Sequence, residues 1–168
     1  ARARPTLFAG QGAFQSMASI NTVAVVGNYL PRMCGIATFT TDLVTALRGS
    51  GTAVNCWAMA MNDRPEGYRY PDEVRFEIDQ NSINEYRRAS DFLNINQIDV
   101  VCLQHEYGIF GGNTGSYVLQ LLQELRMPVV TTLHTVLKEP SAEQKQVLCD
   151  IAGISERVVV MAHRAADF

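Results

Sequence analysis

The sequence predicts an α/β domain, a Rossmann-like open, mostly parallel sheet with helices on both faces. Short β-branched runs alternate with amphipathic segments from Thr22 onward, as βαβ units require. A chain of 168 residues that is 47% hydrophobic is long enough for one well-buried domain and too short for two large ones. Three of the runs end in residues suited to holding a sugar or a phosphate: Val23 to Val26 before Cys34 to Ala37, Val100 to Leu103 before Gln104 to Glu106, and Pro128 to Val130 before His134. In an open parallel sheet the carboxyl ends of the strands face one crevice, so these distant residues converge there.

Residues 1–20 combine Arg2, Arg4, Pro5, Gly10 and Gly12 with Gln and Ser and show no periodicity, which predicts a mobile extension ahead of a domain over 21–168. Strands are expected near 22–28, 53–60, 74–78, 99–104, 128–133 and 157–161. After the first strand, Ile36, Phe39, Leu43 and Leu47 recur at helical steps until Gly49 and Gly51 stop the helix. Ser82 followed by Glu85 reads as a capping box, and Tyr86, Ala89 and Leu93 lie on one side of the helix it opens. Val118, Leu121, Leu122 and Leu125 mark a third helix. Ser141 with Gln144 forms another capping box, ahead of the stripe Val147, Leu148, Ile151 and Ile154. The predicted order is βαββαβαβαβ, with the longest loop from Met61 to Pro71. His163 to Phe168 reads as a helix barely begun, in which His163 is solvated.

Lys and Arg number 14 against 17 Asp and Glu, a formal net charge of -3, with no basic block to follow a phosphate backbone, so nucleic acid is not expected as a partner. Cys34, Cys56, Cys102 and Cys149 form no C-x-x-C pair, and three of them sit in apolar segments, which points to a reducing, cytoplasmic setting. No apolar run approaches the roughly 20 residues that cross a bilayer. Phe39, Phe92 and the leucines read as core. Arg87 with Arg88, and Glu106 with Glu139, read as solvated charge and chance spacing.

Three stretches carry chemistry. In Gly27 to Ala37, Gly35 lets a backbone approach a ligand, and the following helix directs unpaired N–H groups at an anion such as a diphosphate. The spacing fits neither G-x-G-x-x-G nor G-x-x-x-x-G-K-[ST], and a glycine that merely packs the helix on the sheet is the competing explanation. In Gln104 to Gly112, Gln104, His105 and Glu106 offer donors and acceptors for hydroxyls, while Gly111 and Gly112 let the next helix begin close to a ligand. Neighbours on a strand point to opposite faces, so His105 and Glu106 need not meet one atom. The absence of H-E-x-x-H leaves a zinc hydrolase unsupported. His134, ending the strand before Thr135, could bond a substrate or exchange a proton, or could simply fix the following loop.

Together, Pro31 to Leu43, Gln104 to Gly112 and Pro128 to Thr135 resemble the N-terminal half of family 4 (group 1) glycosyltransferases, in order and spacing, from about Thr22 to Phe168. The resemblance implies one half of a GT-B fold, two Rossmann-like domains across a cleft, and retaining, metal-independent transfer of a sugar from a nucleotide-sugar donor to a sugar or glycan acceptor, with no cofactor. It implies that Gly35 and Ile36 approach the donor diphosphate and that His134 contacts the donor sugar near the reacting carbon. His105, Glu106, Gly111 and Gly112 become the acceptor-side wall. The family's donor-binding domain has no counterpart in the sequence, so the chain is expected to be inactive alone and open to self-association through the exposed cleft surface. Two other classes remain: a non-catalytic sugar-binding or interaction module, and another α/β enzyme such as an epimerase or dehydrogenase, which the missing G-x-G-x-x-G disfavours.

Overall fold

The computed structural model describes residues 20–51 and 54–162. The expected extension up to residue 19, the expected strand start at residue 53, and His163 with the segment after it lie outside the described residues. The elements are β1 (Thr22–Gly27), α1 (Gly35–Gly49), β2 (Asn55–Asn62), β3 (Val74–Asp79), α2 (Ile83–Ile95), β4 (Val100–His105), α3 (Val118–Leu122), β5 (Val129–Leu133), α4 (Ala142–Ile154) and β6 (Arg157–Val160). Two 3-10 turns, Tyr107–Ile109 and Asn113–Gly115, lie between β4 and α3.

The six strands form one sheet in the order β3-β2-β1-β4-β5-β6, and every neighbouring pair is parallel. The chain therefore winds outward from β1, returns to lay β4 beside it, and winds outward the other way. The reversal between β1 and β4 is a topological switch point, where an open α/β sheet leaves a crevice beyond its carboxyl ends. β2 and β3 pair in parallel with no helix between them, so residues 63–73 must carry the chain back along the sheet. Met61 and Asn62, expected in that loop, instead extend β2 opposite Ile78 and Asp79.

Strand alternation divides the core in two. Val23 and Val25 of β1 pack with Cys56, Ala58 and Ala60 beneath Val44 of α1. On the other face, Ala24, Val26, Trp57, Met59 and Leu103 meet Tyr86 and Leu93 of α2, Leu121 of α3 and Ile151 of α4. Helices thus cover both faces, one against three.

The fully buried positions of α1 are Ala37, Thr40 and Val44, one step on from the expected stripe. Ile36, Phe39, Leu43 and Leu47 are only half-buried. The helix lies too close to the sheet for large side chains on its line of contact: a Cβ on Gly27 would stand 3.2 Å from Thr40 Oγ1. Small residues take the contact line and the large ones straddle it. Ser82 does precede α2, but its side chain makes no capping bond, and Glu85 pairs with Arg88 at 2.7 Å instead. The box at α4 forms as expected, with Ser141 Oγ accepting from Gln144 N and Ser141 N donating to Gln144 Oε1 at 2.8 Å. The third helix is shorter than expected and leaves Leu125 beyond its end, although Leu125 still packs on the core. Among the described residues, no helix is long and apolar enough to cross a membrane.

Candidate functional site

The first wall of the crevice is the turn from β1 into α1. Gly27 allows β1 to lie against β4, since a Cβ there would come 3.0 Å from Gln104 Cβ. Asn28, only 1% exposed, donates from Nδ2 to Cys34 Sγ at 3.2 Å, and its Oδ1 is buried without a partner. Cys34 caps α1: its sulfur accepts the Ala37 N–H at 3.3 Å, and its carbonyl accepts that of Thr38 at 3.2 Å. A helix leaves its first four N–H groups unsatisfied. Of those in α1, the Gly35 and Ile36 N–H groups have no partner among the described residues. A Cβ on Gly35 would meet nothing within 4 Å, so this glycine is not a packing residue. Arg32 is committed elsewhere, to the Met61 carbonyl at 3.2 Å and Asp63 at 3.3 Å.

The second wall is the end of β4, where alternation sends Gln104 and His105 to opposite faces. Gln104 faces the α1 side, fully buried, with Oε1 3.0 Å from His134 Nε2 and with its own Nε2 unpartnered. His105 faces the other core, stacked on Phe110 at 6.0 Å between centroids and meeting the Tyr107 ring edge at 5.1 Å. Neither ring nitrogen of His105 has a partner. Burial pushes its pKa down to about 4, against the pull of the Glu106 carboxylate. His105 therefore stays neutral and stands behind the crevice.

Glu106 and the end of β5 complete the third wall. Glu106 accepts the Tyr107 N–H at 3.0 Å, capping the turn after β4, and also accepts from Thr135 Oγ1. His134 is half-buried; its N–H donates to the His105 carbonyl at 3.0 Å, and its ring meets Phe39 edge-on at 4.8 Å. Burial lowers the His134 pKa, with Glu106 pulling the other way. Phe39, expected in the core, thus lines the site as a prop for His134.

The structure brings Gly35, Ile36, Glu106 and His134 to one end of the sheet, with His105 directly behind. Gly111 and Gly112 have internal tasks. A Cβ on Gly111 would collide with the Gln80 carbonyl oxygen, and Gly112 has φ 80° with Ser116 Oγ and Tyr117 close by. Their missing side chains let the chain pass close to the turn before α2 and to Tyr117. Arg88 is paired with Glu85, and Arg87 reaches Gln120 at 3.4 Å, in keeping with solvated charge. Asn28 and Thr135 belong to the site although sequence reasoning gave neither a role of its own, whereas Gln104 was read there as a partner for hydroxyls and Cys34 as part of the turn after the first strand. The signal available for Asn28 and Gln104 was a polar side chain closing an otherwise apolar strand.

Chemically, the site offers two free N–H groups at a helix N-terminus and, a strand or two away, unpaired amide and imidazole atoms. The first suits an anion and the second suits hydroxyls, which both donate and accept. Among the described residues no group of three His, Cys, Asp or Glu side chains is placed to hold a metal ion.

No family model matches the chain, and no curated protein matches it. Solved structures do. One is an alpha-glucosyltransferase in complex with UDP and a 13-mer DNA containing a central A:G mismatch, at TM-score 0.56 and 12% identity, covering 84% of this chain and 37% of that one. Another is an alpha-glucosyltransferase in complex with UDP and a 13-mer DNA containing a HMU base, at TM-score 0.55 and 13% identity, covering 83% of this chain and 37% of that one. Both of those structures contain DNA, so the fold gives no support to excluding nucleic acid, and that expectation rests on charge alone. The chain spans little more than a third of these proteins, 37% of each. What the likeness establishes is the fold, a Rossmann-like α/β domain of the kind those alpha-glucosyltransferases contain.

Proposed function

We propose that this domain is the acceptor-side half of a nucleotide-sugar-dependent glycosyltransferase of the GT-B, family 4 type. The observation that carries the reading is the set of unpaired polar atoms at the switch point: Asn28 Oδ1, Gln104 Nε2 and the free N–H groups of Gly35 and Ile36. Asn28 Oδ1 and Gln104 Nε2 are buried just beneath the crevice without partners, which is costly for a merely structural arrangement, and the accessible N–H groups of Gly35 and Ile36 suit an anion. The fold likeness to UDP-bound alpha-glucosyltransferases supports the transferase part of this reading, and the three sequence stretches that resemble family 4 suggest the finer part.

In this reading the donor diphosphate rests at the N-terminus of α1, on the Gly35 and Ile36 N–H groups, where the helix dipole favours negative charge. His134 contacts the donor sugar near its anomeric carbon. Glu106 faces the acceptor, and His105, Gly111 and Gly112 build the wall behind it. Transfer is retaining and metal-independent. The acceptor oxygen bonds to the anomeric carbon on the face from which the diphosphate leaves, the carbon–phosphate oxygen bond breaks, and the departing diphosphate takes the acceptor's proton. The site's polar groups stabilise the oxocarbenium-like charge that develops. A second domain supplies the nucleotide grip, so this chain binds donor weakly and does not turn over alone.

Titration of the chain with UDP-glucose and with UDP, followed by amide NMR, tests the proposal. Shifts confined to Gly35, Ile36 and the ends of β4 and β5, lost in His134→Ala for the sugar but retained for UDP, are expected. Shifts elsewhere, or none at millimolar ligand, would overturn it.

A further inference from the structure

We propose that Gln104 is a positioning residue that fixes His134 as the Nε2–H tautomer, so that the ring presents the Nδ1 lone pair to its ligand. The inference rests on the glycosyltransferase reading only in naming that ligand group, a sugar hydroxyl donating to Nδ1.

The ring is held from three directions. Gln104 is 0% exposed, and its Cβ is wedged against Gly27, so the amide has little room to swing away. Its Oε1 lies 3.0 Å from His134 Nε2. Phe39 stands edge-on to the imidazole, with ring planes at 83°. The His134 backbone N–H is tied to the His105 carbonyl. An amide oxygen only accepts, so the ring nitrogen that faces it must carry the hydrogen. Neutral imidazole has a single N–H, which leaves Nδ1 bare, and among the described residues Nδ1 has no hydrogen-bond partner. Burial favours the neutral ring, with Glu106 pulling the other way. His134 therefore meets a ligand as an acceptor, matched to a hydroxyl and mismatched to a phosphate oxygen. The titratable groups around it are Glu106, whose carboxylate favours the imidazolium, and His105 behind the strand.

Long-range 1H–15N correlation spectra of the 15N-labelled full chain at neutral pH read the tautomer directly, with the three histidines assigned through His105→Gln and His163→Gln variants. The wild-type spectrum should show His134 protonated at Nε2. Gln104→Leu should give the averaged pattern of mixed tautomers. The near-isosteric Gln104→Glu should strengthen proton binding by His134 about ten- to a hundredfold. A wild-type ring protonated at Nδ1, or an unchanged pattern in folded Gln104→Leu, would overturn the inference. UDP-glucose added to the same sample separates the two proposals. An Nε2–H ring that ignores the sugar nucleotide defeats the glycosyltransferase reading and leaves the positioning role standing. An Nδ1–H ring that responds to it does the reverse.

Discussion

A methyl group added at Gly35 stands in open space, whereas one added at Gly111 runs into the Gln80 carbonyl oxygen. The two glycines punctuate similar strand-to-helix passages, and sequence alone assigned both to ligand approach. Gly111→Ala should lower stability by about 1–3 kcal/mol, the usual range for overpacking a tight site. Gly35→Ala should change it by less than about 0.5 kcal/mol, as at other sites free of such features. Urea unfolding of the two variants checks the contrast, and equal losses would refute it. His105 makes a second prediction at this scale. Its folded pKa is depressed to about 4 from 6.5, so below 6.5 the unfolded chain takes up a proton that the folded chain refuses. Stability is then fully present above 6.5 and drains away as pH falls toward 4, by about 3 kcal/mol in all. The lowered pKa of His134 acts in the same direction. Urea midpoints across that window should fall less steeply in His105→Gln, and parallel slopes would count against the assignment. The motif Gln104-His105-Glu106 was visible in the sequence, but the division of its labour was not. Which of the three bonds His134 depends on how the strand faces a residue thirty positions on, just past β5.

At the level of elements, the sequence marked the four α-helices of the described residues, because apolar recurrence and breakers are local properties of the chain. Capping was legible at one of the two expected boxes. Ser141 and Gln144 close their box, whereas at α2 the Glu85 N–H donates to the Ser82 carbonyl at 2.9 Å and the Glu85 carboxylate pairs with Arg88, so neither half of the box forms. Ser141→Ala should therefore cost about 1 kcal/mol. Ser82→Ala should cost no more than a few tenths, well under that ordinary capping loss. Thermal melts of the two single variants decide the matter, and a larger loss at Ser82 would show that its hydroxyl caps after all. The stripe of α1 was read one residue early because periodicity favours the bulky residues, while the close approach at Gly27 favours the small ones. Such closeness is a tertiary fact with no local signature.

Across the molecule, alternation of strands and helices made the open sheet readable, and the winding of successive βαβ units follows from their handedness. The parallel pairing of β2 with β3 was less legible, since no helix announces that crossover. Continuous pairing across six strands, with a packed layer on each face, predicts one cooperative unit. Trp57, the single tryptophan, is buried in β2 between the Phe92 ring at 5.8 Å and the Arg75 guanidinium at 5.5 Å. Its fluorescence and the far-UV circular dichroism should trace the same urea transition. Separate transitions would mean that the β3-β2-β1 half and the β4-β5-β6 half unfold independently.

The placement of Gln104 and His105 on opposite sides of β4 has a consequence for anyone editing this region. A motif is spelled along a line, but a strand deals its letters alternately to two rooms. Exchanging the pair, with Gln104→His and His105→Gln together, leaves composition, charge and length untouched, yet it sends an amide into the aromatic room of Phe110 and an imidazole against His134. Deleting one residue ahead of Val100 would do the same to the whole strand. The site is thus written in the parity of β4, and a search that matches letters while ignoring that parity will accept chains in which the crevice has been turned inside out.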